Sequence, residues 1–323
     1  MTTTITRGVV LDRDSVDRGD LDLDPLHRVL PEWTILDTAQ GRSGTAAHIG
    51  EAEVVVSNKV MLDAETLKRA ERLRLVCVAA TGTNNVDLET AAARGVAVSN
   101  VRAYATPAVT QHVFALILAL TTRLFEYRDA VREGRWSASD TFCLLDYPIR
   151  ELAGLTLGII GFGELGRGVA GMGEAFGMRI AVAQRPGGEP RPGRYPLEEL
   201  LARADVLSLH CPLTPQTRGL IGARELARMK TDAVLINTAR GGLVDEPALA
   251  DALRAGRLGG AGIDVLSEEP PRAGSPLLEP GIPNLIVTPH TAWATRQARQ
   301  RVIDEVAANI RAFMRGEERN RVC

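Results

Sequence analysis

The sequence has no excess of positive charge, few cysteines and no long apolar run. With 38 Lys and Arg against 40 Asp and Glu, the formal net charge is -2, so no basic field exists to attract nucleic acid or an anionic membrane. The four cysteines, Cys77, Cys143, Cys211 and Cys323, are far apart and in no zinc-ligand spacing. They read as reduced thiols, and the expectation is a cytoplasmic protein. The opening stretch MTTTITRGVVLDRD lacks the charged-then-apolar profile of a secretory leader. The longest apolar run, VFALILAL at 113–120, is too short to cross a bilayer and reads as a buried helix segment. No internal repeat or low-complexity tract stands out. What is present is length: 323 residues, 45% hydrophobic, enough for a sizeable core and for two domains.

Short apolar runs alternate with helical patterns along the whole chain. Candidate strands up to residue 100 are GVVLD, WTILDT, EVVVSN, LRLVCVA and VAVSN. Between them, DAETLKRAERL opens with an Asp cap and a Glu in its first turn. A long helical segment is expected over 106–133, with Pro107 suited to its first turn. A second series begins at Leu155: LTLGII, RIAVA, DVLSLH, DAVLINT, GAGIDV and NLIVTPH. These runs are continuously apolar, so both faces of their sheet are expected to be covered. The fold class implied is α/β, with two doubly wound parallel-sheet domains of the Rossmann type. A last helix over 294–315 is too short to be a domain and is expected to return to the first half. The domains are then 1–105 with 294–323, and 106–293. RPGGEPRPGRYP at 185–196 reads as a Pro/Gly loop close to a ligand.

Gly161, Gly163 and Gly166 fit G-x-G-x-x-G directly after a strand and at the opening of a helix. The first glycine permits the tight turn, the second lets backbone approach a pyrophosphate, and the third permits close packing of helix on strand. The helix start offers N–H groups and a positive dipole end to phosphates. A site for NAD normally carries Asp or Glu at the end of the next strand, to hold the ribose hydroxyls. Here that position is Gln184, followed by Arg185. A neutral side chain does not repel a 2′-phosphate, and a guanidinium can pair with it. The pair favours NADP(H) and leaves NAD(H) open, since Gln184 could still bond the ribose while Arg185 points into water.

Three polar residues follow later strands: Arg240 in INTARGGLVD, Glu269 in DVLSEEPP and His290 in VTPHTAW. Arg can clamp a 2-keto acid through parallel hydrogen bonds and polarise the keto oxygen. His can give that oxygen a proton as hydride reaches carbon. A carboxylate beside the imidazole fixes its tautomer and favours its protonated form. Singly, each could be a surface ion pair, a loop acid or a packed histidine. Jointly, after a dinucleotide turn, they point to catalysis. His27 and His48 have no partner pattern, His112 on the buried-looking helix is expected to be structural, and His210 to shape the cofactor wall. No metal site is expected.

Seven ordered blocks carry a resemblance: VAATGTNNVD (78–87), FCLLDYPIRELAG (142–154), GIIGFGELGRG (158–168), LHCPLTPQTRGLIG (209–222), LINTARGGLVDE (235–246), GIDVLSEEP (262–270) and TPHTAWAT (288–295). Over nearly its full length the chain resembles the D-isomer-specific 2-hydroxyacid dehydrogenases, in particular their glycerate dehydrogenase, or hydroxypyruvate reductase, branch. The resemblance implies Arg240, Glu269 and His290 as catalytic residues, in a cleft between the two domains. It implies that Ala80, Thr81 and Gly82 offer backbone N–H groups to a substrate carboxylate, and that Trp293 lines the substrate pocket or packs nearby. Along the cofactor it implies Thr106, Glu164, Leu165, Cys211, Pro212, Leu213 and Thr217, with Thr238, Ala239 and Asp264 near the nicotinamide. The reaction implied is reduction of hydroxypyruvate or glyoxylate to D-glycerate or glycolate, by a homodimer joined through much of 106–154. The departure is Gln184-Arg185, where many relatives carry an acid. The rival readings are a dinucleotide-sensing binding protein of the corepressor type, which shares the fold, and a sister dehydrogenase with another substrate. Formate dehydrogenases of the fold carry glutamine where Glu269 stands.

Overall fold

Each apolar run that precedes a glycine, Asp or Asn turn becomes a parallel strand, because the run buries both faces and the turn releases the chain into a crossover. The computed structural model describes residues 5–38, 41–185, 188–189 and 191–323. Contacts divide the chain into two units, Met1–Ala105 with Ala294–Cys323, and Thr106–Trp293.

The first unit holds β1 (Arg7–Val10), β2 (Glu32–Ile35), β3 (Val54–Ser57), β4 (Leu75–Val78) and β5 (Ala97–Ser99), ordered β2-β1-β3-β4-β5 and all parallel. β3, β4 and β5 are buried at every position. The helix Arg296–Met314 belongs to this unit, as the sequence suggests. Asn309 on it is buried and donates from Nδ2 to Asn100 O at 2.9 Å, and Arg299 forks onto Asp20 at 2.7 Å. The Asp cap at Asp63 forms, accepting from Thr66 N at 2.9 Å, but its helix, Ala64–Arg69, ends sooner than its pattern suggests. At Ala70 ψ turns to 75°, and the following Leu73 turns into the core.

The second unit holds β6 (Thr156–Ile160), β7 (Arg179–Ala183), β8 (Arg194–Tyr195), β9 (Val206–Leu209), β10 (Val234–Asn237), β11 (Gly260–Ile263) and β12 (Leu285–Val287). Their order is β12-β11-β10-β9-β6-β7-β8, again parallel. β9, β10 and β11 are buried throughout, whereas the edge strand β12 is half-buried. The order reverses at β6, which has β7 on one side and β9 on the other. A crevice therefore opens at the carboxyl ends of β6 and β9, where such sheets bind ligands.

Two sequence expectations need correction here. The segment 106–133 is two helices, Thr106–Thr121 and Leu124–Arg132, bent by 57°. Thr121 and Thr122 turn their hydroxyls back onto Ile117 O and Leu118 O at 2.8 and 2.6 Å, and Arg123 takes φ +55°. That left-handed residue cannot continue an α-helix. The Pro/Gly loop also carries β8, a two-residue strand on β7 too short to leave a periodic signal. Among the described residues no single helix is long and apolar enough to cross a membrane.

Candidate active site

The dinucleotide turn is built by its glycines in three different ways. Gly161 has φ +94°, and a Cβ there would lie 2.5 Å from Cys211 N and from the His210 carbonyl. The turn after β6 thus presses directly on the turn after β9. A Cβ on Gly166 would meet Gly161 O at 2.1 Å, so only glycine lets the helix Glu164–Ala175 start this close to its strand. Gly163, the residue capping that helix, faces open space. Backbone N–H groups at a helix start, beside room for a diphosphate, form an anion cradle.

The rest of the crevice fits a nicotinamide dinucleotide. Thr238, after β10, is buried and its Oγ1 has no hydrogen-bond partner among the described residues. His210 bonds Ser208 Oγ through Nε2 at 2.8 Å, while its buried Nδ1 is unpartnered among the described residues. Such polar atoms need a partner that a polar ligand can supply. Burial drives the Cys211 thiol up to about 11, so this wall residue is an uncharged thiol. Thr106 Oγ1 donates to Glu164 at the same helix start. Thr217 uses its hydroxyl within its own loop, donating to Pro212 O at 2.7 Å and accepting from Thr214 N at 2.8 Å, so it shapes the 212–217 turn. Leu165 and Ala239 are half-buried, and Pro212 is exposed.

Burial also lowers the His210 imidazole to about 4, from an ordinary value of 6.5. Below pH 6.5 the unfolded chain gains a proton that the folded chain refuses until about pH 4. Stability should therefore fall across that window as pH drops, by roughly 2–3 kcal/mol from this group. Denaturant titrations at pH 7 and 4.5 should show a loss that His210→Gln reduces by about 2 kcal/mol. Equal losses in both proteins would refute the buried neutral imidazole.

At the carboxyl ends of β10, β11 and β12, three loops meet. Asn237, fully buried at the end of β10, accepts from Ala239 N at 3.0 Å and donates to Arg240 O at 2.9 Å. It fixes the loop from which the exposed Arg240 projects. The next residue, Gly241, lies so close to the loop after β11 that a Cβ would sit 2.0 Å from the Leu266 carbonyl carbon. That second loop carries Glu269. Buried Glu246, whose Oε1 accepts from Ser267 N at 2.6 Å and Oε2 from Ser275 Oγ at 2.5 Å, pins it.

Glu269 accepts the Leu266 N–H on Oε1 at 2.9 Å, and its Oε2 accepts from His290 Nδ1 at 2.6 Å. The imidazole's proton is thus fixed on Nδ1, and Nε2 is left to face a reactant. His290 stands at φ +55°, a left-handed conformation costly for a side chain with a Cβ. Asp264 holds it there. Its backbone carbonyl accepts from His290 N at 2.8 Å, and its carboxylate accepts from Thr288 Oγ1 at 2.5 Å and from Thr291 N and Ala292 N, both at 2.9 Å. The Asp264 side chain is fully enclosed. Through these bonds it supports the turn. Trp293, at the end of this turn, is half-buried.

The structure therefore brings Glu269 and His290 into contact and locks the Arg240 loop against the Glu269 loop. Asn237, Glu246, Thr288 and His112 are not among the site residues expected from sequence. Asn237 and Thr288 sit at strand ends, which is the signal that could have found them; Glu246 and His112 give none beyond residue type. Ala80, Thr81 and Gly82 follow β4 in the first unit, where Thr81 Oγ1 donates to Val101 O at 2.9 Å and Asn100 Nδ2 to Thr81 O at 2.7 Å.

A carboxylate-supported histidine, an exposed guanidinium and a phosphate cradle on one sheet edge suit hydride-transfer chemistry, and comparison with known proteins agrees. A family model described as D-isomer specific 2-hydroxyacid dehydrogenase, NAD binding domain, matches residues 114–292. Glycerate dehydrogenase of Methylorubrum extorquens is 44% identical over 97% of this chain and 97% of its own. Hydroxypyruvate reductase of Blautia hydrogenotrophica is 37% identical over 97% of this chain and 98% of its own. The crystal structure of the TT0316 protein from Thermus thermophilus superposes with a TM-score of 0.86 at 36% identity, over 98% of this chain and 100% of that one. The chain thus belongs to the D-isomer specific 2-hydroxyacid dehydrogenases and moves hydride between a nicotinamide dinucleotide and a 2-keto acid.

Proposed function

We propose that this enzyme reduces small 2-keto acids of the hydroxypyruvate and glyoxylate type, with NADPH as the preferred donor. The observation that carries the catalytic part is the 2.6 Å bond from His290 Nδ1 to a carboxylate that is itself held by Leu266 N–H. The turn at Gly161, Gly163 and Gly166 would hold the diphosphate of a reduced nicotinamide dinucleotide, and the unpartnered Thr238 hydroxyl would give it a polar contact; when bound, that coenzyme would supply hydride to the keto carbon. Arg240 clamps the substrate and draws electron density onto the keto oxygen. That oxygen takes the proton from His290 Nε2, which leaves the imidazole neutral. Glu269 stays ionised and keeps the ring in its working tautomer.

The coenzyme preference rests on the end of β7. Gln184 closes its own loop there, donating from Nε2 to Gly188 O at 3.3 Å and to Glu189 O, and accepting from Arg191 N at 3.2 Å. The amide is thus engaged with backbone, and the residue at the end of β7 is a neutral Gln, which would not repel a 2′-phosphate. Arg185 is exposed beside it, and Arg194 of β8 lies over the ring of Phe162 in the glycine turn, 4.6 Å from its centroid. These cations suit a phosphomonoester. Initial rates for hydroxypyruvate, glyoxylate and a larger keto acid, each with NADPH and NADH, test the assignment. The expected result is turnover of the two small acids and a higher kcat/KM with NADPH. Equal or better rates with NADH would remove the phosphate-reading role, and no turnover of either small acid would remove the substrate class.

A homodimer completes the proposal. Phe142 is 91% and Leu145 83% exposed, and Leu124, Trp136 and Ile149 are more than half exposed along the same 124–149 stretch. Apolar side chains gathered this way mark an interaction face. Light scattering should give twice the 34.7 kDa chain mass, and Phe142→Glu with Leu145→Glu should give the monomer. A monomeric wild type would overturn it.

A further inference from the structure

His112, on the helix Thr106–Thr121, makes contacts that a packing residue does not need. Its Nε2 lies 3.0 Å from Thr288 Oγ1 and 3.6 Å from Asp264 Oδ1. The Thr288 hydroxyl has one proton, and it is given to Asp264 Oδ1 at 2.5 Å. Toward His112 the hydroxyl can therefore only accept, so the imidazole must donate from Nε2. The chain of donors runs His112 to Thr288 to Asp264. Asp264 in turn receives Thr291 N, Ala292 N and, on its main-chain oxygen, His290 N. Every link ends on residues 288–292, the turn whose centre is left-handed His290. A residue in that conformation stays only where its surroundings over-determine it.

We propose that His112 is a positioning residue for His290, acting through Thr288 and Asp264. The role rests on the catalytic reading of His290 given above. The imidazole N–H fixes the rotamer of Thr288, which fixes the carboxylate that anchors the turn. Without that donor, Thr288 can turn away from Asp264, and the turn loses one of its ties. His290 then drifts relative to Glu269 and to the keto oxygen. Displacements of about 1 Å at reacting groups can cost up to about a hundredfold in rate. For the loss of a single tie, about tenfold in kcat is the expected effect, a hydrogen bond's worth of roughly 1.4 kcal/mol. The phosphate cradle lies on a different loop, so coenzyme affinity should not follow.

The test uses His112→Leu, His112→Gln, Thr288→Val and the His112→Leu/Thr288→Val double variant, with His290→Ala as reference. Steady-state rates are measured with hydroxypyruvate, NADPH affinity by quenching of tryptophan fluorescence, and melting temperature for each protein. His112→Leu and Thr288→Val should each lower kcat about tenfold, with the NADPH dissociation constant within about threefold of wild type. His112→Gln places an amide N–H near the lost Nε2 and should recover most of the rate. The double variant should be no worse than the weaker single one, because both cut the same chain. A normal kcat in both single variants overturns the proposal, as does equal loss in His112→Leu and His112→Gln, or a double loss that multiplies. If His290→Ala also retains wild-type turnover, the catalytic reading has failed and the positioning role falls with it. Loss confined to the His112 and Thr288 variants' NADPH affinity overturns the positioning role alone.

Discussion

His290→Ala should lose about a hundredfold to ten-thousandfold in kcat, the usual range for removing a positioned proton donor, while NADPH binding stays within a few-fold of wild type. The separation follows from geometry. The imidazole belongs to the turn after β12, held by Asp264 and Glu269. The phosphate cradle belongs to the turn after β6, where Gly161 presses on Cys211 and His210 instead. Alanine at 290 also leaves the turn anchored, since its ties to Asp264 run through the backbone N–H groups of residues 290, 291 and 292. Glu269→Gln should fall between wild type and His290→Ala. The amide can still accept from Nδ1 but, turned over, it presents N–H there and selects the wrong tautomer. Pre-steady-state coenzyme oxidation separates chemistry from product release. A His290→Ala enzyme with a near-normal single-turnover rate would reject the assignment of the proton donor.

The sheet pattern is readable in the sequence because burial of both faces leaves continuous apolar runs. LTLGII, DVLSLH, DAVLINT and GAGIDV each contain a strand buried at nearly all positions. The glycine turn is readable because steric exclusion acts through residue type, and each of Gly161 and Gly166 meets backbone where a Cβ would be. The break at Arg123 is not readable. It depends on a left-handed backbone at a residue type that favours helix. β8 is hidden for the opposite reason: two residues cannot show a period.

Within the candidate site, sequence reasoning selects residues by chemistry and cannot see their partners. Glu269 and His290 pair on chemical grounds, and the structure supplies the contact across 21 residues of chain. The family resemblance puts Asp264 near the nicotinamide. What the sequence does not show is that three donors from residues 288, 291 and 292 converge on this carboxylate and make it the anchor of the turn. His112 reads as structural because a lone histidine on an apolar helix carries no local signal. Its partner lies 176 residues away, so only the fold discloses the pairing. Hydrogen bonds that close over such distances leave no spacing to read.

Arg240→Lys should lose about a hundredfold to a thousandfold in kcat/KM even though the charge is kept, a loss comparable to removing an oxyanion donor. Arg240 rises from an extended backbone at φ -150°, ψ 136°, just before the short helix Gly241–Leu243, and its Nη1 donates to Ala239 O at 2.7 Å. One arm of the guanidinium is therefore tethered to the chain, while the exposed remainder keeps the planar fork available to a substrate. A lysine ammonium offers no second parallel bond and has no planar group to fix against Ala239 O, so carboxylate and keto oxygen cannot both be held in one orientation. The loss should divide unevenly. Weaker clamping of the ground state raises KM, and weaker polarisation of the carbonyl as charge develops lowers kcat. Arg240→Ala should lose more in both parameters, and added guanidinium ion should restore part of its kcat by occupying the vacated fork position. NADPH affinity should stay unchanged in both variants, because Arg240 is not in the cradle. A Lys variant with wild-type kcat/KM would mean that positive charge alone suffices and that the fork has no part in orienting the keto acid. A variant that lost NADPH binding instead would place Arg240 on the coenzyme, leaving the substrate carbonyl to be polarised by His290 alone.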